Sequence, residues 1–232
     1  MMNKIGIIGG MSPESTALYY TQINRKVNQR LGKNHSADLL LHSVDFETIV
    51  QLQRNSEWEK AGQLLAQSAV MLEKMGAKGL VLATNTMHKV AATIEARCQI
   101  PLIHIIDCTA SVIKQAGFDK IALLGTAFTM SDGFYTERMQ QFGIQILSPE
   151  AEQQAEIHRI IFDELCLNRI NPTSRDYYLN VIQELKSQGA QGVILGCTEI
   201  CLLINADNCS LPIFDSTEIH TQAAVDFMLK AK

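Results

Sequence analysis

Gly192-Val193-Ile194-Leu195-Gly196-Cys197-Thr198-Glu199 is the stretch on which the reading of this chain turns. A short apolar run bounded by glycines has the character of a strand buried on both faces, and Thr198-Glu199 begins a short helix. A cysteine at the carboxyl tip of a buried parallel strand, against a helix N-terminus, sits where open α/β sheets bind ligands. There the helix dipole and backbone N–H groups favour the thiolate, the reactive form of the side chain. In isolation the position reads as readily as a small buried hydrophobe.

A second copy of the design tips the balance. Gly79-Leu-Val-Leu-Ala-Thr84-Asn85-Thr86 is again an apolar run ending in a polar residue before a helix. Thr84 and Cys197 lie 113 residues apart, close to half of the 232-residue chain. The flanking pieces repeat in the same order. Lys4-Ile-Gly-Ile-Ile-Gly matches Lys120-Ile-Ala-Leu-Leu-Gly, and Ala37-Asp-Leu-Leu-Leu matches Ile144-Gln-Ile-Leu. Pro101-Leu-Ile-His-Ile-Ile-Asp matches Pro212-Ile-Phe-Asp. Each half therefore reads as one α/β lobe whose third strand points a polar residue at a cleft. Two polar groups aimed at one cleft from opposite sides can reach both faces of a carbon atom.

Hydrophobic residues make up 47% of the chain and charged ones 19%, ordinary values for a soluble globular protein. The net charge of −4 and the lack of a basic stripe argue against nucleic acid as a partner. The apolar runs are strand-length, far short of a membrane span, and residues 1–10 carry no secretory pattern. The six cysteines form no CxxC pair, and the Cys197/Cys201 spacing has no nearby histidine to complete a zinc set. No metal is expected, and reduced thiols in a cytoplasmic enzyme fit best.

In chain order, Lys4–Ile8 reads as the first strand, followed by the turn Gly9-Gly10-Met11-Ser12-Pro13-Glu14. Ser12 suits the N-cap, Pro13 the first helical position and Glu14 the positive end of the dipole. Gly9 and Gly10 leave backbone N–H groups open to a carboxylate, or simply make a tight turn. The G-x-G-x-x-G dinucleotide fingerprint is not present. Ala37–Ser43 is a second strand, with Gln53 and Arg54 placed to overhang the cleft or to lie in solvent. Residues 57–75 form an amphipathic helix, and Thr84 is followed by a helix over residues 87–97 with His88 in its first turn. Pro101–Ile106 is a fourth strand and residues 110–116 a helix. Gly125-Thr126 mirrors the first turn. Residues 150–167 and 174–188 are helical, and Asp215-Ser-Thr-Glu218 opens the last helix, ending near Lys230. Strands alternating with helices imply parallel sheets.

Gly9-Gly10-Met11-Ser12-Pro13-Glu14-Ser15-Thr16, Thr84-Asn85-Thr86-Met87-His88 and Gly196-Cys197-Thr198-Glu199 resemble the aspartate/glutamate racemase family. The likeness runs through the whole chain. It is greatest to the L-aspartate/glutamate-specific members, which carry the same Thr-Asn-Thr-Met-His. The resemblance implies two pseudo-symmetric α/β lobes, each a parallel four-stranded sheet, with the active site in the cleft between them. It sets the chain crossings near Cys98 and Cys209, so residues 1–98 with 210–232 form the first lobe and residues 99–209 the second. It also implies a small amino-acid substrate, no cofactor, no pyridoxal phosphate and a homodimer. In most members each lobe supplies a cysteine, one removing the α-proton and one returning a proton to the opposite face. Here Thr84 stands at the first cysteine position. The resemblance thus implies Cys197 and Thr84 as the catalytic pair, with Met11, Ser12, Gln53, Asn85, Thr86, Thr198 and Glu199 around the substrate. The arginine that some aspartate-specific members carry after the second strand is absent, since Asp45-Phe46-Glu47 stands there, leaving Arg54 and Lys89 as candidates for the side-chain carboxylate.

The chemistry sets what such a pair must do. The α-proton of an amino acid is weakly acidic, so donors must hold the carboxylate as it gains enediolate character. The strand-tip setting is expected to lower the Cys197 pKa from its reference near 8.5. A threonine hydroxyl titrates nearer the roughly 15.7 of bulk water, which makes it an acid and a very poor base. Two other readings remain: a single-cysteine relative such as a decarboxylase or cis–trans isomerase, and an amino-acid-binding protein without turnover.

Overall fold

The computed structural model describes residues 2–230. The chain divides into two compact units, one holding the residues up to Ile105 together with those from His220 on, the other Ile106–Ile219.

The first unit follows the order β1 (Ile5–Gly9), α1 (Pro13–Leu31), β2 (Leu39–Ser43), α2 (Phe46–Arg54), α3 (Trp58–Lys74) and β3 (Gly79–Leu82). A 3-10 turn over Thr86–Val90, α4 (Ala91–Glu95) and β4 (Leu102–Ile103) complete it before α5 (Ile105–Gln115). The strands form one parallel sheet in the order β2-β1-β3-β4, with Ile5 opposite both Leu39 and Gly79. The period-two pattern sorts the side chains. Ile5, Ile7 and Val81 pack with Tyr19, Ile23 and Val27 of α1 on one face. Ile8, Leu80 and Leu82 pack with Leu65, Ala69 and Leu72 of α3 on the other. A sheet covered on both faces explains why its strands read as continuous apolar runs.

The second unit repeats the plan. It runs β5 (Lys120–Leu124), α6 (Ala127–Ser131), α7 (Phe134–Gln140), β6 (Gln145–Leu147), α8 (Ala151–Asp163), α9 (Pro172–Ser187) and β7 (Gly192–Leu195). A 3-10 turn over Thr198–Leu202 and β8 (Ile213–Asp215) follow, then α10 (Ser216–Leu229). Its parallel sheet has the order β6-β5-β7-β8, the same permutation as in the first unit. Apolar residues of α8 (Ile157, Ile160, Ile161) and α9 (Tyr178, Val181, Ile182, Leu185) are buried at helical spacing. The pairing extends to glycine: a Cβ on Gly79 would lie 2.6 Å from the Phe227 ring and one on Gly192 would lie 2.7 Å from the Phe214 ring.

The boundaries fall later than the crossings expected near Cys98 and Cys209. Leu80 and Val81 pair with Leu102 and Ile103, which ties β4 to the first sheet. Val193–Leu195 pair with Ile213–Asp215, which ties β8 to the second. Each unit keeps its fourth strand because that strand covers an otherwise open edge of β3 or β7, and the chain leaves only afterwards. Helix α10 then crosses within itself, and its Ala224, Val225 and Met228 pack on the first sheet.

Local departures are also plain. The helix expected over 87–97 is a 3-10 turn followed by a five-residue helix. The helix from 151 stops at Asp163, and a separate 3-10 turn over Leu165–Leu167 ends in left-handed Asn168. Helix α5 begins at Ile105, five residues before the expected start. Among the described residues no helix is long and apolar enough to cross a membrane.

Candidate active site

In the first unit the turn after β1 is shaped by packing. Ser12 caps α1 by accepting from the Ser15 N–H at 3.2 Å, and Pro13 starts the helix. Gly10 has φ +94°, and a Cβ there would lie 2.2 Å from the Val44 carbonyl oxygen, so only glycine fits. Its N–H donates to Thr16 Oγ1 at 2.7 Å, and Thr16 Oγ1 donates to the Ser12 carbonyl at 2.8 Å. The Gly10 donor expected for a carboxylate is therefore taken by Thr16 in this structure.

Thr84 follows β3 after the single residue Ala83. The Ala83 N–H continues the ladder to the Ile8 carbonyl at 2.9 Å, and the Thr84 N–H then turns back onto the Leu82 carbonyl at 2.8 Å. That tight return ends the strand and leaves the Thr84 side chain half-buried, while Asn85 and Thr86 are buried. Gln53, from the last turn of α2, donates to Met87 Sδ at 3.0 Å, so it lies against the Thr86–Val90 turn. Met11 is buried in the same apolar cluster as Met87. Gln53 thus lies against the turn that follows Thr84, and Met11 belongs to the apolar cluster that Met87 of that turn joins. Of the two candidate cations, Arg54 is exposed at the end of α2, and Lys89 Nζ lies 4.2 Å above the Trp58 ring.

A group of buried histidines lies behind Thr84. His88 is 4% exposed and its Nδ1 is 2.7 Å from the Thr84 carbonyl. His104 meets His88 edge-on at 4.6 Å, and His220 lies 5.8 Å from it. His220 Nε2 donates to the Ile103 carbonyl at 2.6 Å, and its Nδ1 accepts from Tyr19 at 2.8 Å. Burial pushes the His220 imidazole down to about 4. Sequence reading singled out only His88. His104 and His220 lie in segments read as a strand and a terminal helix, with no local signal that the fold would gather them.

In the second unit Cys197 follows β7 in the same way. The Gly196 N–H continues the ladder to the Leu124 carbonyl at 2.7 Å. The Cys197 thiol donates to Glu199 Oε2 at 2.9 Å, and the Thr198 hydroxyl donates to the same oxygen at 2.6 Å. Cys197, Thr198 and Glu199 thus form one bonded cluster.

The expectation of a lowered Cys197 pKa is reversed. Burial pushes the thiol well above its ordinary range, and the Glu199 carboxylate adds to this by its charge and by accepting the S–H. A hydrogen bond with the backbone of Glu199 acts in the opposite direction and is the smallest contribution. The turn that follows is a five-residue 3-10 segment, too short to supply the dipole of a long helix.

None of the six cysteines is in a disulfide. Cys201 donates to Asp215 Oδ2 at 3.2 Å, and burial followed by the Asp215 charge raises its pKa. By the repeat, Cys201 occupies the place of His88 and Asp215 that of His104. The same positions touch in both units, with different chemistry. Among the described residues, no group of three or more His, Cys, Asp or Glu side chains is arranged to hold a metal ion.

Two equivalent strand tips, one followed by Thr84 and the other by Cys197 hydrogen-bonded to Glu199, repeat in identically ordered sheets. The family profile described as Asp/Glu/Hydantoin racemase matches residues 8–224. The chain belongs to that family and is an isomerase acting on amino acids. It is 52% identical to a Yersinia pestis protein, solved as a proposed Asp/Glu racemase, with TM-score 0.94 over 99% of this chain and 100% of that one. An aspartate racemase homologue from Pyrococcus horikoshii is 33% identical, with TM-score 0.86 over 99% of this chain and all of its own. The broad specificity amino-acid racemase RacX of Bacillus subtilis is 24% identical over 228 residues, 97% of this chain and 98% of that protein.

Proposed function

We propose that the chain racemises aspartate or glutamate without a cofactor, with Cys197 and Thr84 serving opposite faces of the α-carbon. The observation that carries this reading is the equivalence of the two residues, each at the second position beyond the third strand of an identically ordered sheet. Cys197 begins as the thiol and passes its proton to Glu199, whose carboxylate the Thr198 hydroxyl steadies. The thiolate then takes the α-proton of one enantiomer and becomes a thiol again. Thr84 donates its hydroxyl proton to the other face of the carbanion and recovers one from solvent, while Glu199 releases to solvent the proton it took from Cys197, which restores the starting state.

Backbone donors and the side chains of Asn85, Thr86, Thr198 and Glu199, with Met11, Ser12 and Gln53, hold the substrate. Electrostatic stabilisation of the developing enediolate supplies most of the rate. Two enantiomers are equally stable, so kcat/KM is the same in both directions whatever the residues. Thr84 therefore slows inversion relative to a thiol without making it one-way. The reading carries with it a homodimer, which sedimentation would test, and a reducing compartment, which titration of the native protein's thiols would test. Incubation with L-aspartate, L-glutamate and a panel of other amino acids, followed by chiral chromatography, tests the activity. D-enantiomer formed from neither acidic substrate would overturn the specificity.

A further inference from the structure

We propose that His88 is a positioning residue for Thr84, acting as the Nδ1–H tautomer of a neutral imidazole. The proposal rests on Thr84 being the second acid/base group. A carbonyl only accepts, so the 2.7 Å contact puts the hydrogen on Nδ1, which donates to the Thr84 carbonyl. A backbone N–H only donates, so the 3.3 Å contact from the Ile105 N–H makes Nε2 the acceptor. Both bonds are satisfied together by one tautomer alone. The Thr84 N–H is already bound to the Leu82 carbonyl at 2.8 Å. The peptide groups on both sides of Thr84 are thereby held, and the hydroxyl is placed by rotation about a single side-chain bond.

The brace is specific to this unit. At the corresponding place in the second unit, Cys201 turns to Asp215, and the Cys197 carbonyl accepts instead from the Ile200 N–H at 3.2 Å. The difference has a chemical reason. A hydroxyl that is a weak acid and a very poor base depends on alignment with the α-carbon, where a misplacement of about 1 Å costs roughly 100-fold. A buried imidazole between β3 and the start of α5 fixes the threonine tip more stiffly than a local turn would. The edge-on His104 ring at 4.6 Å restrains its plane.

Two substitutions divide the two bonds. His88→Asn keeps an amide N–H near the Nδ1 position, and His88→Gln keeps an acceptor near Nε2 while losing the donor to Thr84. The assay follows α-deuterium and enantiomeric composition in D₂O, starting separately from L- and D-aspartate, and the enantiomer that exchanges with retention reports the Cys197 face apart from inversion. In His88→Gln, inversion should fall about 100-fold while exchange stays within about threefold of wild type; His88→Asn should hold inversion within about tenfold. Exchange and inversion falling together, or equal behaviour of the two variants, would overturn the positioning role. Thr84→Ala in the same assay separates the two ideas, since unchanged inversion there removes Thr84 from the reaction whatever His88 does. Wild-type protein supplies a test free of folding effects. Long-range ¹H–¹⁵N spectra should show His88 protonated at Nδ1 and bare at Nε2, and the opposite tautomer would overturn the proposal.

Discussion

Replacing Glu199 by glutamine should make Cys197 easier to alkylate and the enzyme slower, two effects that a general loss of structure would not produce together. Oε2 of Glu199 lies 2.9 Å from the Cys197 sulfur. Two unit charges at that separation repel by about 1.4 kcal/mol even at the dielectric of water, and by about 6 kcal/mol at an effective value near 20. The smaller figure already corresponds to about one pKa unit, a tenfold rise in thiolate at a pH below the titration. A less basic thiolate is a weaker nucleophile, with a Brønsted slope of about 0.4–0.5, so the net gain in alkylation is at least about threefold. Iodoacetamide labelling at pH 8, followed peptide by peptide by mass spectrometry, reads this directly, with half-buried Cys209 as internal standard. Racemisation should fall by about 100-fold or more, the lower range for loss of an acid/base partner. Unchanged or slower labelling of Cys197 in a folded variant would refute the charged pairing. Labelling that rises while racemisation holds would refute the proton relay.

Cys197→Ala should leave less than about a hundredth of wild-type kcat/KM with its thermal unfolding intact, whereas Cys201→Ala should stay within about tenfold; equal losses in both would mean that the wrong thiol was chosen. Thr84→Cys should raise the initial rates from L- and D-aspartate by the same factor in kcat/KM, and an unchanged rate in a variant that binds substrate would mean Thr84 is not limiting. His220 binds its proton in the unfolded chain near pH 6.5 but only near pH 4 when folded. Stability is therefore lost as pH falls from 6.5 to 4, by up to about 3 kcal/mol. Urea unfolding across that range should be steeper for wild type than for His220→Gln, which cannot titrate; parallel curves would show that another group governs the acid limb.

The parallel α/β architecture and the internal duplication were legible in residues alone. Glycine-bounded apolar runs are the local mark of strands covered on both faces, and the 113-residue repeat by itself puts Thr84 and Cys197 at equivalent tips. Ser12 and Pro13 announced the start of α1 because caps are satisfied within one turn of chain. What sequence could not give depends on distant partners. The crossings moved past Cys98 and Cys209 because β4 and β8 are defined by bonds to β3 and β7, not by their own two or three residues. The Cys197 thiol is raised because tertiary burial and the Glu199 carboxylate outweigh the short turn that follows it. The brace behind Thr84 needs His88 from one turn, Ile105 from the start of α5 and His104 beside it, residues that only folding brings together. Periodicity and capping are written locally in the chain, whereas a proton's address depends on desolvation and charge, which exist only once the chain has closed around it.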